Sequence, residues 1–244
     1  MDIQDNLNKL TKKERRAMRK TEKIDEQKQR QRKRLLKRIA LWVVVITGIA
    51  AAVFIMFKLV DDYSPGQLSD NSISDSDWVK GDRGAKVVLI EYSDFQCPAC
   101  ANYALITKQV VHEFGDKIAF VYRHFPLKQN HLNAESAAWV AEAAGKQNKF
   151  WEMHDMLFEN QKEWENSGNA EEYFKEYAQA LNLNIEQFEK DINSEEVKNK
   201  VENDFQSGLR SGINSTPTFF LNGEKLRNPK SYDEFRDIIN QALR

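Results

Sequence analysis

Hydrophobic and polar positions divide this chain into four stretches with different rules. The first 38 residues carry few apolar side chains and no periodic stripe, so they cannot build a core. From Ile39 to Phe57, IALWVVVITGIAAAVFIMF is an unbroken run of 19 uncharged residues. At ~1.5 Å per residue, a helix of that length reaches roughly the ~30 Å of a hydrocarbon core. No charge interrupts any face of the run, which sets it apart from a helix with one buried stripe. It predicts a transmembrane anchor over 39–60. The next stretch, DDYSPGQLSDNSISDSD (61–77), is rich in Ser and Asp and poor in aliphatics, a flexible linker by composition.

From Trp78 to Arg244 the pattern is that of one folded domain. KVVLIEY (Lys86 to Tyr92) and KIAFVYRHF (Lys117 to Phe125) are β-branched apolar runs suited to buried strands. TPTFFLNGEKL (Thr216 to Leu226) reads as a strand turning through Asn-Gly into a short hairpin partner. Helical spacing predicts helices over Tyr103 to Phe114, Ala134 to Asn160, Glu171 to Leu181 and Ile185 to Ile192. Val197, Val201, Phe205 and Leu209 mark another, and Phe235, Ile238, Ile239, Ala242 and Leu243 a last one. The order strand, helix, strand, helical block, hairpin, helix predicts an α/β domain with a small sheet and a helical insertion at about 132–212.

Charge gives the chain a direction. The formal net charge is −1, yet residues 1–38 hold 15 Lys/Arg against 6 Asp/Glu, leaving 21 against 31 in the remainder. Basic residues crowd the start of the apolar run, whereas Asp61, Asp62, Asp70, Asp75 and Asp77 follow its end. The positive-inside rule then puts the N-terminus in the cytoplasm and the folded domain outside, on a single-pass cell-membrane protein. A cleaved signal peptide is the rival reading, but its apolar region should be about 7–15 residues long with a small-x-small site behind it. Here Ala50 and Ala52 are followed by the apolar Val53 to Phe57. The basic tail suits a topology signal or anionic head groups, and it lacks aromatic residues on which bases could stack, so no nucleic-acid partner is expected.

The chemistry concentrates in FQCPAC, Phe95 to Cys100, which contains both cysteines of the chain. Cys97 follows a predicted strand and precedes Pro98, a residue favoured in the first helical turn. That places Cys97 at a helix N-cap, where the amides of Ala99 and Cys100 and the helix dipole favour thiolate over thiol. Cys100 lies one turn on and can close a disulfide. So short a loop stabilises a fold little, and a pair of this kind suits opening and closing. A zinc site would need two further ligands, and His112, His124, His131 and His154 show no matching spacing. No metal or cofactor is expected. Two reduced buried cysteines would be out of place in an exported domain.

LIEYSDFQCPAC (Leu89 to Cys100), followed much later by NSTPTFFLNG (Asn214 to Gly223), resembles the DsbA-like thiol-disulfide oxidoreductases of the thioredoxin superfamily, in a bacterial membrane-anchored form. The resemblance covers about Trp78 to Arg244. It implies a thioredoxin fold with an inserted helical subdomain, Cys97 as the attacked sulfur, Cys100 as the resolving one, and Pro217 as a cis proline opposite them. It further implies that Thr216 offers its backbone to an exported substrate protein bearing free thiols, and that a DsbB-like or VKOR-like membrane protein reoxidises the pair.

Relatives of this kind keep a buried acid near the pair, and Glu91 stands six residues before Cys97, where it would relay protons. Alternation along the strand leaves open whether Glu91 faces the pair or solvent. Asp94 reads as a turn residue, and His124 as structural. Trp139, Phe150, Trp151, Leu157 and Phe158 read as core of the insertion, and the Asn214-Ser215-Thr216 sequon as a chance match. The dipeptide Pro98-Ala99 lacks the His that some strongly oxidising relatives place before the second cysteine. A reductase or isomerase of the same fold therefore stands beside a disulfide donor, and a non-catalytic anchored interaction module beside both.

Overall fold

The computed structural model describes residues 32–33, 42–43, 45–51 and 72–244. The chain divides into two units, Met1–Tyr63 and Ser64–Arg244. In the first, the described residues are helical, and Trp42, Val43, Val45, Ile46 and Ile49 are exposed. No helix among the described residues is long and apolar enough to cross a membrane. Most of the expected basic tail, of the anchor over 39–60 and of the expected linker lies outside the described residues.

The second unit is built on a sheet of five strands in the order β1-β3-β2-β4-β5: β1 Trp78–Gly81, β2 Val87–Ser93, β3 Ile118–His124, β4 Thr218–Leu221 and β5 Glu224–Lys225. β2 and β3 run parallel, joined by helix α1 (Pro98–Phe114), and the other pairings are antiparallel. All seven residues of β2 and of β3 are buried, as expected for parallel strands covered on both faces. One face, with Val87, Leu89, Ile118, Phe120 and Phe219, packs on Val110 and Phe114 of α1 and on Phe235 and Ile239 of the last helix, α8 (Tyr232–Ala242). The opposite face, with Val88, Ile90, Tyr92, Val121 and Phe220, packs on Phe125, Ile213 and Phe205. Each such fully buried side chain contributes about 1.5–3 kcal/mol. The Asn222-Gly223 turn has positive φ at both residues, 50° and 84°, the geometry that closes a two-residue hairpin.

Between β3 and β4 lies the helical block: α2 Ala134–Gly145, α3 Phe150–Glu159, α4 Gln161–Trp164, α5 Ala170–Ala180, α6 Ile185–Ile192 and α7 Glu195–Arg210. The single helix expected over 134–160 is broken. Asn148 takes φ 61°, and Lys149 N donates to Ala144 O 2.9 Å away, so the chain turns and restarts. Trp78 is the cause on the other side. Its ring stacks on Phe150 at 4.5 Å, and a Cβ at Gly145 would lie 2.3 Å from it. Phe150, Leu157 and Phe158 are buried in this block, as expected, while Trp139 and Trp151 are half-buried.

Residues 72–77 correct the linker boundary, because they are bound into the domain. Asp77 is buried and receives the Arg123 guanidinium at 2.7 and 3.2 Å, while Arg123 also donates to Ser72 O at 2.9 Å and Tyr92 Oη at 3.1 Å. Removing one member of such a pair leaves an uncompensated buried charge. Asp77→Ala should therefore lower unfolding stability in urea by about 3–5 kcal/mol; a loss below about 1 kcal/mol, the level of an exposed pair, would show that the pair does not fasten this segment.

Candidate active site

The C-terminal end of β2 leads into a turn that is pinned from several sides. The Asp94 carboxylate accepts from Gln96 N at 2.8 Å and from Leu127 N at 2.9 Å, and His131 Nδ1 stands 2.7 Å from it. Asp94 is thus a turn residue, and it also ties the loop after β3 to this end of the sheet. Cys97 N donates to Asp94 O at 3.1 Å. The helical block holds the other side: Gln161 Nε2 donates to Phe95 O at 2.7 Å and to Cys97 O at 3.0 Å, and Gln96 Oε1 accepts from Asn133 N at 2.6 Å. Cys97 sits at the N-cap of α1 with extended backbone, φ −74° and ψ 121°, and Pro98 opens the helix.

Both cysteines are free thiols here. Cys97 is 8% exposed and Cys100 is 0% exposed, and the sulfur of Cys97 is much the less enclosed of the two. Their acidities diverge. Hydrogen bonding from Cys100, opposed by burial and aided by Thr216 and by the Cys100 and Ala99 amides, brings Cys97 down from 9.0 to about 5. These amides act without a fully formed cap hydrogen bond to the side chain. Cys100 moves the opposite way, well above the ordinary thiol range, chiefly through burial and then through its neighbour Cys97. Asp94 N, 3.5 Å from Cys100 Sγ, is its backbone donor.

The loop before β4 completes the site. The Thr216-Pro217 peptide bond is cis, and Cys97 Sγ lies 3.5 Å from Thr216 O. Pro217 O is held by Asn228 Nδ2 at 2.6 Å, and Thr218 Oγ1 donates to Ser215 O at 2.8 Å. The Thr216 hydroxyl is buried without a formed hydrogen bond, which frees it to donate to the Cys97 sulfur on ionisation. Cys97, Cys100, Thr216 and Pro217 are therefore brought together from two segments more than a hundred residues apart.

Glu91 is buried, so the solvent-facing reading of this residue is overturned. Burial raises its carboxyl from 4.5 to about 7, and its charge in turn acts on Cys100. The sequence reading missed Gln161, His131, Ser93 and Tyr122. Ser93 was within reach, since it stands two residues from Glu91 on the same strand face; Tyr122 requires the β2/β3 register, and no pattern singles out Gln161.

His124, Glu142 and Asp204 are close enough to be weighed as metal ligands. Protein donors already engage the cluster. Glu142 Oε1 takes the Trp78 indole N–H at 2.8 Å and faces His124 Nε2 at 2.8 Å, while Asp204 takes Lys200 Nζ at 2.6 and 2.7 Å. An ammonium in that position opposes a cation, so the cluster is an ion network that includes His124 in a structural role.

Comparison with known proteins agrees with this geometry. The profile of the family described as Thioredoxin matches residues 74–241. BdbD from Bacillus subtilis, in its oxidised form, superposes with a TM-score of 0.63 at 25% identity, over 73% of this chain and 96% of that one. The alpha-DsbA1 of Wolbachia pipientis gives 0.63 at 23% identity, over 70% and 92%. Curated relatives include a protein named Na(+)/H(+) antiporter NhaA 1 from Mycolicibacterium vanbaalenii, 36% identical over 76% of this chain and 31% of that protein. The chain spans about a third of the length of the curated relatives it matches, so that name describes proteins of which it matches a part.

The divergent thiols give a pH signature. In the reduced protein, alkylation by iodoacetamide should fall on Cys97, with a midpoint near the pKa of about 5. Because this folded pKa lies below the ordinary 9.0, the reduced form should gain stability relative to the disulfide form as pH rises from about 5 to 9, and lose it as pH falls through about 5. A midpoint above 8, or a reduced-minus-oxidised difference in melting temperature that is flat across this window, contradicts the assignment.

Proposed function

The chain belongs to the thioredoxin family and is a protein thiol-disulfide oxidoreductase, and from that premise we propose that it donates disulfides to exported proteins outside the cytoplasm. The observation that carries the direction is the stabilised thiolate of Cys97. A low thiol pKa makes that sulfur a good leaving group and stabilises the reduced enzyme, which makes the disulfide more oxidising.

The reaction is exchange at two sulfurs. A substrate thiolate attacks Cys97 in the Cys97-Cys100 disulfide, and Cys100 departs, to be protonated. A second substrate thiolate attacks the substrate sulfur of the mixed disulfide and expels Cys97 as thiolate. The Thr216 backbone, whose carbonyl stands beside the Cys97 sulfur, offers the substrate a strand-like partner, with Pro217 in the same loop. Glu91, whose pKa of about 7 leaves it part protonated near neutrality, serves as proton partner of the buried Cys100. Reoxidation then falls to a quinone-linked membrane partner of the DsbB-like or VKOR-like type. The basic start and acidic end of the apolar run support a cell-membrane anchor with the catalytic domain outside.

The reductase or isomerase reading keeps two supports, the absence of a His between the cysteines and the Thr before the cis proline, which by the resemblance also occurs in reductive and isomerising relatives. The deciding measurement is the reduction potential of the pair in the full chain, equilibrated against glutathione and read by trapping free thiols. A value well above about −200 mV supports a donor, and one near or below about −270 mV makes the protein a reductase. Cys97→Ser should abolish exchange entirely; an unchanged exchange rate in that variant would leave only a binding module.

A further inference from the structure

Four buried polar atoms lie at one end of one face of the sheet with no hydrogen-bond partner: Glu91 Oε1, Ser93 Oγ, Tyr122 Oη and His124 Nδ1. The register explains the grouping. Glu91 pairs with Tyr122 and Ser93 with His124 across the parallel β2/β3 ladder, so all four side chains leave the sheet on the side that carries Leu89 and Phe120 under α1. Cys100, in the first turn of α1, packs in the same cluster as Tyr122. A buried hydroxyl left without a partner costs about 1–3 kcal/mol, so two such hydroxyls beside one carboxyl at the resolving sulfur call for a role that the dithiol state leaves idle.

We infer that the Ser93 hydroxyl is the bridge through which a proton passes between Cys100 and Glu91, and that the Tyr122 hydroxyl holds the Glu91 carboxylate once that proton has gone. The inference rests on the exchange reading above, with Glu91 as proton partner. When the substrate thiolate attacks Cys97, the Cys97-Cys100 bond breaks and its electron pair goes to the Cys100 sulfur. The Ser93 proton moves to that sulfur while the Glu91 proton moves to the Ser93 oxygen. The step leaves Cys100 a thiol, Ser93 unchanged and Glu91 a carboxylate facing Tyr122. Reoxidation reverses it: Cys100 returns its proton along the same path and attacks the new mixed disulfide. A fully buried sulfur is thus served without opening the core to water.

Ser93 is placed for this part. It lies within influence of Cys100, Glu91 and Tyr122 at once, and it favours the ionised form of each. The titratable groups facing Glu91 are Cys100, with Cys97 beyond it on α1, and Tyr122 of β3, whose ring meets His124 and His154. Asp94 acts on Tyr122 from the turn, and β4 presents Phe219 opposite Glu91.

The test uses the full chain, oxidised, reacting with dithiothreitol in stopped flow from pH 5 to 9. Ser93→Ala should slow exchange at least tenfold around neutrality, within the ~10²–10⁴ range of positioned proton transfer, with the Cys97 titration midpoint unmoved. Ser93→Thr, which keeps the hydroxyl, should restore the rate. In the Glu91→Gln background, Ser93→Ala should add nothing, because the path is already cut. Tyr122→Phe should move the Glu91-dependent limb of the pH profile upward. A Ser93→Ala rate equal to wild type, with Glu91→Gln slow, overturns the bridge and leaves the exchange reading intact. Glu91→Gln at the wild-type rate overturns the proton role of Glu91 and the bridge together. Equal slowing by Ser93→Ala in both backgrounds, or by Ser93→Thr as well, marks a packing effect and overturns the bridge.

Discussion

One helical turn separates two sulfurs into opposite electrostatic surroundings, and the rest of the domain is arranged to keep them so. Cys97 stands at the mouth of α1, where hydrogen-bond donors face it and burial is incomplete, and donation wins over desolvation. Cys100, three residues deeper, is fully enclosed, and desolvation wins. A symmetric pair would have no preferred site of attack. This pair is polarised, so the sulfur that meets solvent is also the one that leaves most readily as an anion.

That polarity depends on holding an irregular turn still, which short-range structure alone does not do. Asp94 fastens the turn to the loop after β3, and Gln161, from the helical block, fastens the carbonyls of Phe95 and Cys97. The block is fastened in turn by buried charge. Arg123 and Asp77 bind residues 72–77 to β3, Asp204, paired with Lys200 of its own helix, joins α7 to β3 through the His124 amide, and Glu142 collects His124 and Trp78. Such ion networks add little stability relative to apolar packing, but each member depends on its partners being in place, which here fixes how the insertion seats on the sheet.

The parts of this arrangement that local chemistry dictates were legible in the sequence. Cys97-Pro98 announces a helix start and Asn222-Gly223 a hairpin, because each is a short-range constraint on backbone or cap, whereas the place of Thr216-Pro217 opposite the thiols was implied only by the family resemblance. The unread parts depend on distant neighbours. The break after Gly145 comes from Trp78, which approaches from sixty-seven residues away, and a continuous apolar spacing over 134–160 carries no trace of it. β1 was missed because a four-residue edge strand with half-buried positions shows no clean alternation. Glu91 was ambiguous for the opposite reason: both faces of β2 are buried, so alternation along the strand has no polar side against which to be read.

The same reasoning bears on the dipeptide between the cysteines. Pro98-Ala99 brings no charged side chain to the thiolate, which by composition alone argues for a weak leaving group. The structure supplies the support from elsewhere. The main contributors at Cys97 are the Cys100 thiol, the Thr216 hydroxyl and two helix amides, all dipoles. Dipoles at contact distance are screened by salt far less than an exposed charge acting across solvent. The two amides are also fixed by the backbone of α1, where a charged side chain would have its own titration and rotamer freedom. The acidity of Cys97 is therefore set mainly by Cys100 and the amides of its own helical turn, with Thr216 adding to it from the loop before β4, and the side chains of the two intervening residues are a poor guide to it.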